Sequence, residues 1–137
     1  MDSQESRPDP GPTLTILVVE DSRKLRDTIA AELRRHGCRV VSAAHGTEAL
    51  EAVVLDRFDA IVTDVQMLPR GGLWLWREAT TLRPELRGRF VFCSSSGAQA
   101  VGDGPWRSER FVPQPLRPDI LWAEVVAVTD QQARDVS

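Results

Sequence analysis

Ala60-Ile61-Val62-Thr63-Asp64 is a short run of strand-forming residues that stops at a carboxylate. From Phe58 to Thr63 the segment is the most continuously apolar in the chain. That predicts a central strand, covered on both faces. A second run of the same kind, Leu14 to Val19, closes on the acidic pair Glu20-Asp21. In a parallel sheet both runs end at one edge, so three carboxylates converge there. Crowded acids repel one another, and a divalent cation held by oxygen ligands is the usual remedy.

Working outward, short β-rich runs alternate with helical periodicity, which predicts βαβ units and a parallel sheet. Ser22 is the expected N-cap of a helix from about Arg23 to His36. Its apolar stripe is Leu25, Ile29 and Leu33, and Gly37 ends it. Cys38 to Ala43 reads as a second strand nearer an edge, because Arg39 and Ser42 interrupt it. A second helix spans about Thr47 to Leu55. A third follows the Gly71-Gly72 turn and stops at Leu82, before Pro84. Arg89 to Cys93 and Arg110 to Pro113 read as strands four and five. A last helix starts near Pro118 with Ile120, Leu121, Val125 and Val128 on one face. About five helices and five strands in the order 2-1-3-4-5 make an α/β doubly wound, flavodoxin-like fold. Ser95 to Glu109 should hold the fourth helix, but Gly97, Gly102, Gly104 and Pro105 break it. With Gly costing about 1 kcal/mol and Pro about 3 kcal/mol in a helix, only Ala98 to Val101 suits a turn. The expectation is a shortened, irregular or mobile fourth helix.

A length of 137 residues suits one domain: a polar tail over residues 1–12, a folded unit over 13–128 and a polar tail over 129–137. The net charge of -3 argues against a nucleic-acid partner. No apolar stretch reaches the roughly 20 residues that span a bilayer. The acidic start, Met1 to Ser6, is unlike a secretory signal. Cys38 and Cys93 lack metal-ligand spacing and read as buried thiols in a cytoplasmic protein. His36 and His45 read as helix-end and loop residues. Trp74 and Trp76 fall on different faces of the third helix, so at least one is expected to be exposed.

Together, Val18-Val19-Glu20-Asp21-Ser22, Ala60 to Met67, Gly72 and Gln114-Pro115 resemble the receiver domain of bacterial two-component response regulators, over about residues 14 to 128. The resemblance implies that Asp64 accepts a phosphoryl group. It implies Mg²⁺ bound by Asp21, by Glu20 through water, by Asp64 and by the Gln66 carbonyl. Ser94, with Ser95 the alternative, is similar to the hydroxyl that contacts the phosphoryl oxygens, and Phe111 to the aromatic residue that reports phosphorylation. The Gln114-Pro115 bond is expected to be cis. One departure is chemical: the family carries Lys where this chain has Gln114. Lys24, the only lysine, lies in the first helix. Another concerns the loop after Asp64, where Pro69 stands one place beyond the family's Met-Pro pair.

The resemblance implies a non-enzymatic phosphorelay component that acts through protein contacts. Its expected partners are a histidine kinase or phosphotransfer protein and an unidentified downstream protein. A homodimer is also open, since the family often uses the fourth-helix to fifth-helix face. With nine residues after Val128, the expectation is a stand-alone receiver. The alternative is a degenerate receiver that binds protein without phosphorylation. A hydrolase working through an aspartyl-phosphate is disfavoured, because Gln66 stands where such enzymes carry a second Asp. Nucleotide binding is disfavoured because no glycine-rich loop follows the first strand.

Overall fold

The computed structural model describes residues 13–67, 70–94 and 102–136, the stretch from 131 onward as backbone only. Five strands, β1 (Thr15–Val19), β2 (Arg39–Ala43), β3 (Ala60–Asp64), β4 (Phe90–Ser94) and β5 (Arg110–Pro113), form one sheet. All neighbours pair in parallel, in the order β2-β1-β3-β4-β5. As expected, β3 is central and β2 lies at an edge. Among the described residues there are four α-helices: α1 (Arg23–Arg35), α2 (Gly46–Leu55), α3 (Gly72–Leu82) and α4 (Pro118–Val136).

Side chains alternate across the sheet because successive strand residues point to opposite faces. Leu17, Val19, Ile61, Phe90 and Phe92 pack under α2 and α3 with Leu75, Trp76 and Ala79. Ile16, Val18, Val62, Val91 and Cys93 meet α1 and α4 through Ile29, Leu33, Leu121 and Val125. Both faces of the central strands are thus dry, which explains their unbroken apolar composition.

Local signals set the helix ends. The Ser22 hydroxyl caps α1 by accepting from Leu25 N at 3.3 Å. Gly37, with φ 88°, supplies the left-handed residue after that helix. Pro84 breaks the chain after α3 and opens a short 3-10 helix, Pro84–Leu86. The Gln114-Pro115 bond is cis, as the resemblance implies.

The last helix starts at Pro118 as expected and runs to Val136, since no Gly or Pro interrupts Thr129 to Val136 and Gln131, Gln132, Ala133 and Arg134 are good helix formers. Two expectations need correction or restriction. Neither Trp74 nor Trp76 is exposed: Trp76 is buried, and Trp74 is half-buried with the Arg70 guanidinium 4.9 Å from its ring centroid. In the broken crossover, the expected turn at Ala98 to Val101 lies outside the described residues. Its described part, from Gly102 to Glu109, contains only a 3-10 helix, Pro105–Ser108.

Glu109 ties that crossover to the domain. Its buried carboxylate accepts from Trp76 Nε1 at 3.0 Å, Gly88 N at 2.8 Å and Phe90 N at 3.0 Å. Removing it strands three donors, each costing about 1–3 kcal/mol when buried and unpaired. Glu109→Ala is therefore expected to lower the unfolding free energy in urea by on the order of 3 kcal/mol. Arg117→Ala, which removes an exposed pair with Asp119, should change it by less than about 0.5 kcal/mol.

Candidate functional site

Strand register builds the site. Val19 pairs with Thr63, Asp64 with Cys93, and Ser94 with Pro113. The residues at or just beyond these pairs, Glu20, Asp64, Ser94 and Gln114, therefore lie along one sheet edge. This is the carboxyl-end edge, at the point where strand order reverses between β1 and β3. Gln114 N donates to Ser94 O at 3.2 Å and keeps the last two in step.

Glu20, Asp21 and Asp64 each offer a carboxylate oxygen, and these oxygens lie within 4.8 Å of one another. Glu20 is buried, Asp64 half-buried and Asp21 exposed. Glu20 Oε2 accepts from Ser22 N at 3.0 Å, while the buried Oε1 has no partner among the described residues. An orphaned carboxylate oxygen is costly in a protein interior. A hard cation fits it, because three carboxylates make the kind of oxygen donor set that Mg²⁺ prefers. The residues present fit the ion.

Electrostatics point the same way. Burial pushes Glu20 up to about 7; the Ser22 N–H opposes this, and the Asp21 and Asp64 carboxylates add to it. Burial also raises Asp64, with help from the charge on Asp21 and against the N–H groups of Gln66 and Val65. The Cys93 thiol, buried and facing the charges of Asp64 and Glu20, is pushed up to about 12. It stays protonated and contributes no nucleophile.

The loop after Asp64 folds tightly. Gln66 N donates to Asp64 Oδ1 at 3.2 Å, and Gly72 N to Val65 O at 3.0 Å. A Cβ on Gly72 would stand 2.4 Å from Asp64 O, and one on Gly71 2.6 Å from Val65 O. Both positions exclude a side chain, which explains the glycine pair. Leu68 and Pro69, where the sequence departs from the family's order, lie outside the described residues, as does Ser95.

Of the other expected site residues, Ser94 is buried at the end of β4. Phe111 is half-buried on β5, stacked on Phe92 with centroids 5.2 Å apart. Gln114 is half-buried and Gln66 exposed. Lys24 is exposed on the first turn of α1, and among the described residues it forms no ion pair. Sequence reasoning missed Arg26, whose Nη1 donates to Glu20 O at 2.8 Å and fixes the backbone of the acidic pair. Its four-residue separation from Ser22 along α1 was the available signal.

The family model for the response regulator receiver domain matches residues 16–101. The chain belongs to that family. The response regulator MprA of Mycobacterium ulcerans is 30% identical over 116 residues, 85% of this chain and 50% of that protein. The chain thus spans about half the length of the curated relatives it matches. A CheY-like receiver domain protein from Methanospirillum hungatei superposes with a TM-score of 0.81 at 21% identity, covering 90% of this chain and 99% of that one. The chemotaxis protein CheY4 of Vibrio cholerae gives 0.73 at 23% identity, covering 85% and 99%. At these identities the structural likeness speaks for the fold. Receiver domains are two-component signalling modules that bind Mg²⁺ at an acidic site and meet histidine kinases or phosphotransfer proteins. Among the described residues no helix is long and apolar enough to cross a membrane.

The sign of the pH dependence follows from Glu20. Its folded value, about 7, lies above the ordinary 4.5. Between these values the folded chain keeps a proton that the unfolded chain loses, so the associated stability is full below about 4.5 and is lost as pH rises through 7. Without divalent cation, the Glu20 contribution should make wild type more stable to urea at pH 5 than at pH 8. Glu20→Gln should flatten the profile.

Proposed function

We propose that the chain is a receiver that accepts a phosphoryl group on Asp64 and works as a phosphorelay component. The observation that carries this is the convergence of three carboxylates around an unpartnered Glu20 oxygen at the sheet edge. The folded unit spans residues 13–128, with α4 continuing beyond it. The donor is a histidine kinase or phosphotransfer protein, and output passes through contacts with a second protein. The two buried free cysteines support a cytoplasmic setting.

In the reaction, an Asp64 carboxylate oxygen attacks the phosphorus of a phosphohistidine. The new O–P bond replaces the N–P bond, and the departing imidazole nitrogen takes up a proton. The Gln66 N–H holds Asp64 Oδ1, leaving Oδ2 as the attacking atom. Asp21, Asp64, the Gln66 carbonyl and, through water, Glu20 would hold Mg²⁺, which neutralises charge on the transferring group. Ser94, or Ser95, supplies a hydroxyl to a phosphoryl oxygen.

Gln114 favours a second reading, a degenerate receiver that binds protein without phosphorylation. A Lys there would supply a charge-assisted bond, roughly twice as strong as the neutral one available to an amide. We infer that Asp64 is phosphorylated but drives the Ser94 and Phe111 rearrangement weakly. With Mg²⁺ and a small phosphodonor, intact mass should show one phosphoryl group on wild type and none on Asp64→Asn. The accompanying tryptophan fluorescence change should be larger in Gln114→Lys than in wild type. No phosphoryl adduct on wild type would favour the binding module, and an equal fluorescence change in both proteins would refute weak coupling.

A further inference from the structure

Glu20 is tethered through three separate groups. Its N–H donates to Ala43 O of β2 at 3.1 Å, and its Oε2 accepts from Ser22 N at 3.0 Å. Its carbonyl oxygen accepts from Arg26 Nη1 at 2.8 Å. That carbonyl belongs to the peptide group that joins Glu20 to Asp21, the exposed member of the triad. Where the Asp21 carboxylate stands therefore depends on how this one peptide plane is turned, and Arg26 holds the plane by its oxygen.

Helix geometry explains why Arg26 can do so. Its own N–H donates to Ser22 O at 2.8 Å, which places it one turn into α1. Side chains on a helix lean back toward the N-terminus, so the half-buried Arg26 returns over the first turn to the β1–α1 corner. A charged donor grips a carbonyl more firmly than a neutral one. Two consequences follow for a cation at the triad. The fixed plane keeps the Asp21 oxygen within 4.8 Å of those of Glu20 and Asp64. The Glu20 carbonyl oxygen is also already engaged, so it adds nothing to the donor set. A small set of oxygens at fixed positions suits Mg²⁺, which demands near-ideal octahedral geometry. Ca²⁺ takes roughly six to eight oxygens and tolerates flexible placement.

We propose that Arg26 is a positioning residue that sets the preference of the acidic site for Mg²⁺ over Ca²⁺. It acts through the Glu20–Asp21 peptide and not as a ligand. Resting on the receiver reading above, this role adds a determinant of metal choice that lies outside the three carboxylates. Arg26→Met keeps the aliphatic stem and removes the donors. The peptide plane is then free to turn, which loosens the site for a small ion and frees an oxygen for a larger one.

Calorimetric titration of the full-length apo chain at pH 7, with MgCl₂ and separately with CaCl₂, tests this. Arg26→Met should weaken Mg²⁺ binding by about tenfold or more and Ca²⁺ binding by less than about threefold. The ratio of two affinities measured in one protein is insensitive to a general loss of stability. Arg26→Lys keeps a charged donor without the guanidinium fork, so its Mg²⁺ preference should fall between those of wild type and Arg26→Met. That smaller loss remains readable if Arg26→Met does not fold. Arg35→Gln, on the last turn of α1 and paired with Glu32, should leave both affinities unchanged. A ratio of Mg²⁺ to Ca²⁺ affinity equal to wild type in the Arg26 variants would overturn the proposal, whether both affinities hold or both fall together. Absence of Mg²⁺ binding by wild type would overturn the receiver reading, and the role of Arg26 with it.

Discussion

Mutual repulsion among Glu20, Asp21 and Asp64 is the constraint around which the rest of the molecule is arranged. A parallel sheet forces strand ends to one edge, and this chain places acids there from two adjacent strands. Burial makes the crowding worse by taking water away, which is why Glu20 retains a proton near neutrality. The fold tolerates this because dry packing on both sheet faces holds β1 and β3 in register. Glu20 gains one backbone N–H from Ser22, and among the described residues its other oxygen has no partner.

The supporting parts keep this geometry from relaxing. Arg26 grips the carbonyl of Glu20, and Gly71 and Gly72 let the loop after β3 pass against the backbone of Asp64 and Val65. On the other side of β3, Glu109 fixes the start of β4, the strand that ends at Ser94. Two strands carry the acids and a third carries the hydroxyl, each pinned at the end away from the site or along its length. At that edge Gln114 provides dipole but no charge.

Much of this was legible in the residues because it depends on local periodicity. Apolar runs marked all five strands, Ser22 and Gly37 marked the ends of α1, and the carboxylates followed from where strands stop. Non-local pairings were not legible. Nothing in the spacing of Trp76, Gly88, Phe90 and Glu109 shows that one carboxylate gathers three donors from α3, a loop and β4. At least one of Trp74 and Trp76 was expected in solvent because periodicity reports the helix face but not the Arg70 side chain that covers the Trp74 ring. The end of α4 was not legible, because loss of the apolar stripe after Val128 ends burial, whereas helix continuation needs only backbone-compatible residues.

The most direct measurement is calorimetric titration of Mg²⁺ into the apo chain at pH 7, in buffers of differing ionisation enthalpy, to count protons released on binding. Relief of carboxylate crowding predicts saturable binding with net proton release that disappears in Glu20→Gln. Absence of Mg²⁺ binding, or binding that releases no proton from wild type, would contradict it.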